Sequence, residues 1–239
     1  MVNDKILLTI CARGGSKGVK DKNIRELCGI PLIGHTIRQA KRWGRAHRII
    51  CSTDSSQIAE VAKRYGAEVP FMRPAELATD TCGKIAVLRH ALRTTEELTG
   101  EKFSILVDLD VTAPVRRIED IEEAFQLFLK GRSDSVVSVT PARRNPYFNM
   151  LELQSDGYAA VVKKLQKPFV RRQDAPAVYD MNASIYVFHR EYVLDEATTS
   201  SISKKTRVCV MEESSAFDID SEMDFKLVEF MVSQKAVEL

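Results

Sequence analysis

Apolar residues fall into two alternating rhythms over the first 140 positions of this chain. Lys5–Cys11 (KILLTIC), Arg48–Thr53 (RIICST), Phe103–Leu109 (FSILVDL) and Ser135–Thr140 (SVVSVT) are short, apolar, β-branched runs. That is the pattern of strands buried on both faces. A shorter run, Glu68–Met72, predicts one more strand. Between these runs the spacing turns helical. Leu32, Ile33, Ile37, Ala40 and Trp43 follow Pro31 and stop at Gly44. Ile58, Val61 and Ala62 sit between a cap at Asp54 or Ser55 and a stop at Gly66. Ile85, Leu88, Leu92 and Leu98 run up to Gly100, and Ile118–Leu129 is a further helix. Proline pre-sets a helix start and glycine supplies the left-handed stop. Strand alternating with helix predicts an α/β fold whose sheet is mostly parallel and covered on both faces.

The rhythm breaks after Pro141. Residues 142–182 carry turn signals instead: Asn145-Pro146, Ser155-Asp156-Gly157, Lys167-Pro168 and Ala175-Pro176. No long helix fits there, so this stretch reads as an inserted arm or hairpin subdomain within a single domain spanning 1–239. Ala183–His189 and Arg207–Met211 return as strands. A last helix starts at Ser221 and carries Phe225, Val228, Met231 and Val232, with Ser221 and Asp224 spaced as a capping box.

Composition narrows the class. The 239 residues are 44% apolar and carry a net charge of +2, so bulk charge favours neither nucleic acid nor membrane. The apolar run near the N-terminus is too short for a secretory signal and well under the ~20 residues of a membrane span. The five cysteines, at 11, 28, 51, 82 and 209, form no CxxC pair. They read as reduced thiols of a cytoplasmic protein.

Four constellations carry candidate chemistry. The first, Ala12–Asn23 (ARGGSKGVKDKN), follows the first strand directly, where ligands of an open α/β sheet bind. Gly14, Gly15 and Gly18 let backbone N–H groups approach an anion, and Arg13, Lys17, Lys20 and Lys22 add positive charge. The loop suits a polyphosphate, although it is neither a Walker A loop nor GxGxxG; glycine with lysine also makes ordinary surface turns. The second, Asp218-Ile219-Asp220, points two carboxylates the same way if extended, a pair of hard donors for Mg²⁺ with phosphate oxygens. The same acids would also favour the start of the following helix. The third, Asp108-Leu109-Asp110, ends a strand and could bind metal, position a hydroxyl or act as a base, or simply cap a turn. The fourth is the arm, where Arg143, Arg144, Tyr147, Phe148, Arg171 and Arg172 mix forks and rings. They suit a carboxylate-bearing sugar, an oligomer interface or RNA.

Taken together these residues resemble the acylneuraminate cytidylyltransferases, the CMP-sialic acid synthetases. ARGGSKGVKDKN is similar to the family's signature, Arg73–Asp80 (RPAELATD) to its RPAELAxD segment, Asn182–Tyr186 (NASIY) to NGAIY, and Asp218–Asp224 (DIDSEMD) to DIDxExD. The resemblance implies a Rossmann-like nucleotidyltransferase fold, a homodimer built partly by the arm, CTP and an acidic nine-carbon sugar as substrates, and Mg²⁺. It implies that Ala12, Arg13, Gly14, Gly15, Ser16, Lys17, Lys22 and Asn23 hold the triphosphate, that Arg73, Asp80 and Cys82 meet the nucleotide, and that Asp218 and Asp220 bind the metal. Arg13, Lys17, Lys22 and Asp220 would serve the reacting centre, and Asp110, Phe148, Arg172 and Tyr186 the sugar. Two departures stand out. LVDLDVTAPVR replaces the family's LLQPTSPLR, which puts Asp110 where the sugar-contacting Gln stands, and Phe148 replaces an arm lysine. Both lie on the sugar side, and the DLD and ARRNPYFN forms are more similar to the branch that activates legionaminic acid. Another nucleoside triphosphate, a non-catalytic nucleotide sensor and an RNA-binding module remain the alternatives.

Overall fold

The computed structural model describes residues 5–165 and 171–239, and of Arg172 the backbone alone. In chain order the elements are β1 (Ile6–Cys11), β2 (Glu26–Leu27), β3 (Ile30–Pro31), α1 (Leu32–Trp43), β4 (Arg48–Ser52), α2 (Ser56–Tyr65), α3 (Lys84–Thr99), β5 (Ile105–Leu109), α4 (Ile118–Leu129) and β6 (Ser135–Pro141). There follow β7 (Leu151–Leu153), β8 (Ala159–Val161), β9 (Tyr179–His189), α5 (Arg190–Leu194), β10 (Thr206–Val210) and α6 (Glu222–Ser233). The main sheet runs β10-β6-β9-β5-β1-β4. β1 is parallel to β4 and β5, and β10 is parallel to β6.

The strands read as continuously apolar because both faces are covered. Side chains alternate across a strand: Ile6, Leu8 and Ile10 of β1 enter one core layer and Leu7 the other. The first layer lies under α1, α4 and α6, with Ile37, Phe125 and Phe225. The second lies under α3 and α5, with Leu88, Leu92 and Val193. The punctuation also acts as expected. Ser55 caps α2 by accepting from the Ile58 N–H at 3.4 Å, and Gly44, Gly66 and Gly100 end α1, α2 and α3 in the left-handed region. Ser221 and Asp224 form a reciprocal capping box on α6.

Three features depart from the sequence expectation. β9 runs antiparallel to both β5 and β6. The described residues of the arm form no crossover helix, so the chain re-enters the sheet from the end at which β6 left it and runs the other way. β9 also starts four residues early, at Tyr179, and pairs with the end of β6 across a register shift between Val137 and Val139. There Ala183 takes a left-handed φ of 54°. The Ser138 hydroxyl fills the interrupted ladder: it donates to Asn182 Oδ1 at 2.6 Å and accepts from the Ile185 N–H at 2.8 Å. Finally, the strand expected at Glu68–Met72 shrinks to a single bridge, Ile50 with Glu68. Pro70 has no N–H to continue it.

Within the 142–182 stretch, β7 and β8 form an exposed antiparallel hairpin turned at Gly157. No helix among the described residues is long and apolar enough to cross a membrane. All five cysteines are free thiols.

Candidate active site

The loops leaving the carboxyl ends of β1 and β5, with residues of the 73–87 segment and Asp220, wall a cleft of about 420 Å³. The loop after β1 is folded by its own packing. Val19 is fully buried and anchors it to the core. Asn23, also buried, donates to the Arg13 carbonyl at 2.9 Å and closes the loop on itself. Gly15 takes a left-handed φ of 67°, and Gly18 passes so close to the Asp220 backbone that no side chain fits. The Gly14 N–H points at Asp54 Oδ1, 2.8 Å away.

Three cations of this loop, Arg13, Lys17 and Lys22, are each held by an acid. Arg13 pairs with Asp80 and donates to the Ala78 carbonyl at 3.3 Å. Lys17 reaches the other oxygen of Asp80 at 2.5 Å. Both pairings hold Asp80 below its ordinary carboxyl value. Lys22, mostly buried, donates to the Ile219 carbonyl at 2.5 Å and to Asp220 Oδ1 at 3.2 Å. Each of these cations is a charge-assisted donor of the kind that also grips phosphate oxygens. Lys20 is exposed and does not line the cleft. Arg73 is buried and turns inward onto Ser52, donating to its hydroxyl at 3.1 Å and its carbonyl at 2.5 Å. It braces the 73–82 segment against β4, and Cys82 follows on the cleft wall.

The opposite wall is acidic. Asp108 is fully buried, accepting from the Thr9 hydroxyl at 2.7 Å and from Lys84 at 2.8 Å. Asp110 lines the cleft and accepts from Lys84 at 3.0 Å. Burial acts to raise its pKa, but Lys84, the Thr112 N–H and Arg116 outweigh it and hold the carboxyl low. The turn carrying Asp110 is fixed by Arg116, a fully buried guanidinium. Arg116 donates to the Asp110 carbonyl, to Gln39 Oε1 at 3.0 Å, to the Ser184 carbonyl at 2.5 Å and to the Thr36 hydroxyl at 3.3 Å. It therefore ties α1 and β9 to the end of β5. Burial lowers its pKa to about 10, which leaves it charged at neutral pH.

Asp218 and Asp220 flank the buried Ile219, whose N–H donates to the Thr112 carbonyl at 2.8 Å. Asp220 faces the cleft. Asp218 Oδ1 is buried with no hydrogen-bond partner. Burial raises the Asp218 carboxyl, and Asp110 and Asp220 add to the rise against a hydrogen bond from Thr112. An orphaned oxygen on a carboxylate crowded by like charge is a fit for a hard cation. Among the described residues no three His, Cys, Asp or Glu side chains form a metal cage, so a cation here would complete its shell from phosphate and water.

Of the expected site residues, Arg13, Ser16, Lys17, Lys22, Asn23, Arg73, Cys82, Asp110 and Asp220 line the one cleft. Ala12 is buried beneath it, Gly14 and Gly15 shape its loop, and Asp80 bridges Arg13 and Lys17. Tyr186 lies within the sheet, opposite Asp108 in register and under the Lys84 ammonium at 4.3 Å. Phe148 sits on the arm and does not line this cleft, and the Arg172 side chain lies outside the described residues. Among the described residues, Lys84 is the charged cleft residue that the sequence reading missed. Its one signal was a cation as first residue of a helix, against the dipole. Cys11 also lines the cleft, but burial pushes its thiol well up, which rules out a ready thiolate.

A basic, glycine-rich loop off the first strand, packed against an acid pair at the carboxyl end of a mostly parallel sheet, is the layout of nucleotide-handling α/β proteins. More narrowly, the chain belongs to the cytidylyltransferase family, whose profile matches residues 7–235. It is 49% identical over 231 residues to the CMP-N,N′-diacetyllegionaminic acid synthase of Campylobacter jejuni, covering 97% of this chain and 96% of that protein. Post-translational flagellin modification protein B of Campylobacter coli is similar to the same degree, 49% over 231 residues with the same coverage. A structure of CMP:2-keto-3-deoxy-manno-octonic acid synthetase complexed with CTP shares the fold, with a TM-score of 0.71 at 15% identity, over 97% of this chain and 100% of that one.

Proposed function

We propose that this protein transfers CMP from CTP to the anomeric hydroxyl of an acidic nine-carbon sugar of the legionaminate type and releases pyrophosphate. The observation that carries the reading is the pairing of Arg13, Lys17 and Lys22 with acid groups in the same cleft as Asp110. CTP would displace those acids from the cations. The sugar hydroxyl oxygen then forms a bond to the α-phosphorus as the bond to the bridging oxygen breaks, pyrophosphate departs with that electron pair, and the hydroxyl proton passes to solvent water. Such transfers depend mostly on positioning and charge neutralisation. Arg13, Lys17, Lys22 and the amides of Gly14–Gly18 neutralise the triphosphate. Arg73 and Cys82 shape the cytidine side, and Asp110 receives a donor group of the sugar. Mg²⁺, held by Asp218 and Asp220, would supply further charge neutralisation and lower the pKa of the attacking hydroxyl.

The protein acts as a cytoplasmic homodimer in this reading. Leu151, Leu153 and Tyr158 on the β7–β8 hairpin are strongly exposed apolar side chains, which supports self-association through the arm. Phe148 and Arg172 would meet the sugar from that arm.

The test is pyrophosphate release from CTP and Mg²⁺ with N,N′-diacetyllegionaminate, N-acetylneuraminate, pseudaminate and ketodeoxyoctonate, repeated with UTP and GTP. Turnover with CTP and a nine-carbon acid is expected. Release only with another nucleotide, or CTP binding with no release on any acid, would overturn the proposal.

A further inference from the structure

Lys84 is placed against its local interests. It opens α3 behind Gly83, a cap with no side chain, so its charge opposes the helix dipole. Its side chain is only 26% exposed. Burial disfavours the ammonium, yet Asp108 and Asp110 outweigh burial and hold it charged. The ammonium donates to Asp108 Oδ2 at 2.8 Å and to Asp110 Oδ2 at 3.0 Å, and rests 4.3 Å above the Tyr186 ring.

The two carboxylates differ in what they have left to offer. Both oxygens of Asp108 are used, one by Thr9 and one by Lys84, and the group is fully buried. Asp108 therefore anchors the lysine. Asp110 Oδ2 is taken by Lys84, while Oδ1 has only long contacts with Thr112, 3.4 Å to its N–H and 3.2 Å to its hydroxyl. A carboxylate oxygen accepts more than that. Asp110 Oδ1 thus keeps capacity for a donor in the cleft. Tyr186 is almost fully buried, with burial pushing its phenol up to about 12, so it supports the lysine from below as a neutral ring.

Lys84 also follows Cys82 and Gly83 directly, so the chain that walls the nucleotide side reaches across to the acidic wall. We propose that Lys84 is a positioning residue that sets acceptor selectivity. It locks the Asp110 carboxylate so that Oδ1 meets an amide N–H or hydroxyl of the acidic sugar. This rests on the transferase reading above.

The experiment compares wild type, Lys84→Arg and Lys84→Met. Pyrophosphate release is followed with CTP and Mg²⁺ on N,N′-diacetyllegionaminate and on N-acetylneuraminate, and CTP affinity is measured by calorimetry without sugar. In Lys84→Met the acceptor KM is expected to rise about tenfold or more with kcat changed about threefold at most, and the preference between the two sugars to fall about fivefold. CTP affinity should stay within about twofold. Lys84→Arg keeps the charge on a planar fork and should recover part of the preference. If Lys84→Met does not fold, Lys84→Arg alone decides, by a shifted preference at unchanged CTP affinity. An unchanged preference in the folded variants, or a fall in kcat and melting temperature with acceptor KM intact, overturns the proposal. A wild type that releases pyrophosphate with neither sugar sinks the reaction assignment instead, a different result from an active wild type whose variants keep its preference.

Discussion

Gly18 and Asp220 meet backbone to backbone: a Cβ built on Gly18 would stand 1.9 Å from the Asp220 carbonyl oxygen. No rotamer change relieves such a contact, because the atom struck is main chain. Gly18→Ala must push the loop after β1 away from the segment that carries the acid pair. Turnover is expected to fall about 10²-fold, from misplacement alone. Steady-state kinetics at saturating CTP check this, and a variant with normal kcat would show the two segments to be independent.

Asp220 itself pairs with Lys22 and is a proposed cation ligand. Asp220→Ala should cut turnover by about 10²-fold or more, the scale of losing one preorganised charge. Removing divalent ions with a chelator should abolish wild-type release, and added Mg²⁺ should restore wild type far better than the variant. Near-normal turnover of Asp220→Ala in Mg²⁺ would refute the metal assignment.

Asp80 holds Arg13 and Lys17 together at the rim of the cleft. All three side chains reach solvent, so the internal competition is weak. Asp80→Asn should free both cations and tighten inhibition by the product pyrophosphate, by about two- to fivefold. Inhibition constants for wild type and variant decide the matter, and weaker inhibition in the variant would mean Asp80 helps to seat the anion.

Glu96 gives a pH signature far from the cleft. It is 4% exposed and receives Arg190 at 2.8 Å through both oxygens, Lys102 at 2.9 Å and the Phe103 N–H at 3.1 Å. Burial acts to raise its pKa, but those partners lower it from 4.5 to about 2. The folded value lies below the unfolded one. Its contribution to stability is therefore complete above pH 4.5 and is lost as pH falls through about 2. Denaturant titrations at pH 7 and pH 3 should show wild type losing more stability on acidification than Glu96→Gln. Equal losses would contradict the assignment.

Ala183 sits at a left-handed φ of 54° beside the register shift in β9. Glycine adopts that region freely, while alanine does so at a cost of about 1–2 kcal/mol. Glycine's greater freedom in the unfolded chain takes back about 0.5–1 kcal/mol. Ala183→Gly should therefore stabilise the protein by about 0.5–1 kcal/mol net, read as a higher denaturant midpoint at unchanged slope.

What the sequence disclosed was whatever depends on near neighbours. The buried strands, the caps at Ser55 and Ser221 and the loop Ala12–Asn23 all follow from spacing within about a dozen residues. The course of β9 does not, because its direction depends on where the arm returns the chain and its neighbours β5 and β6 lie at distant positions. Glu68–Met72 looked like a strand until Pro70 met the requirement for a donor. Lys84 was invisible for the same reason as β9: its meaning lies in Asp108 and Asp110, 24 and 26 residues away, and in Tyr186 on a strand that joins them only in the folded sheet.

The position of β9 between β5 and β6 also sets an order of events in time. Among the described residues β6 pairs only with β9 and β10, both of which follow it in the chain. As the chain leaves the ribosome, β4, β1 and β5 can assemble at once, whereas β6 stays without a partner until residue 179 has emerged. A buried, apolar strand left waiting in this way is a hazard for aggregation during synthesis. A chain stopped before β9 would hold a three-stranded half-sheet and a loose strand, with no floor beneath the acidic wall of the cleft.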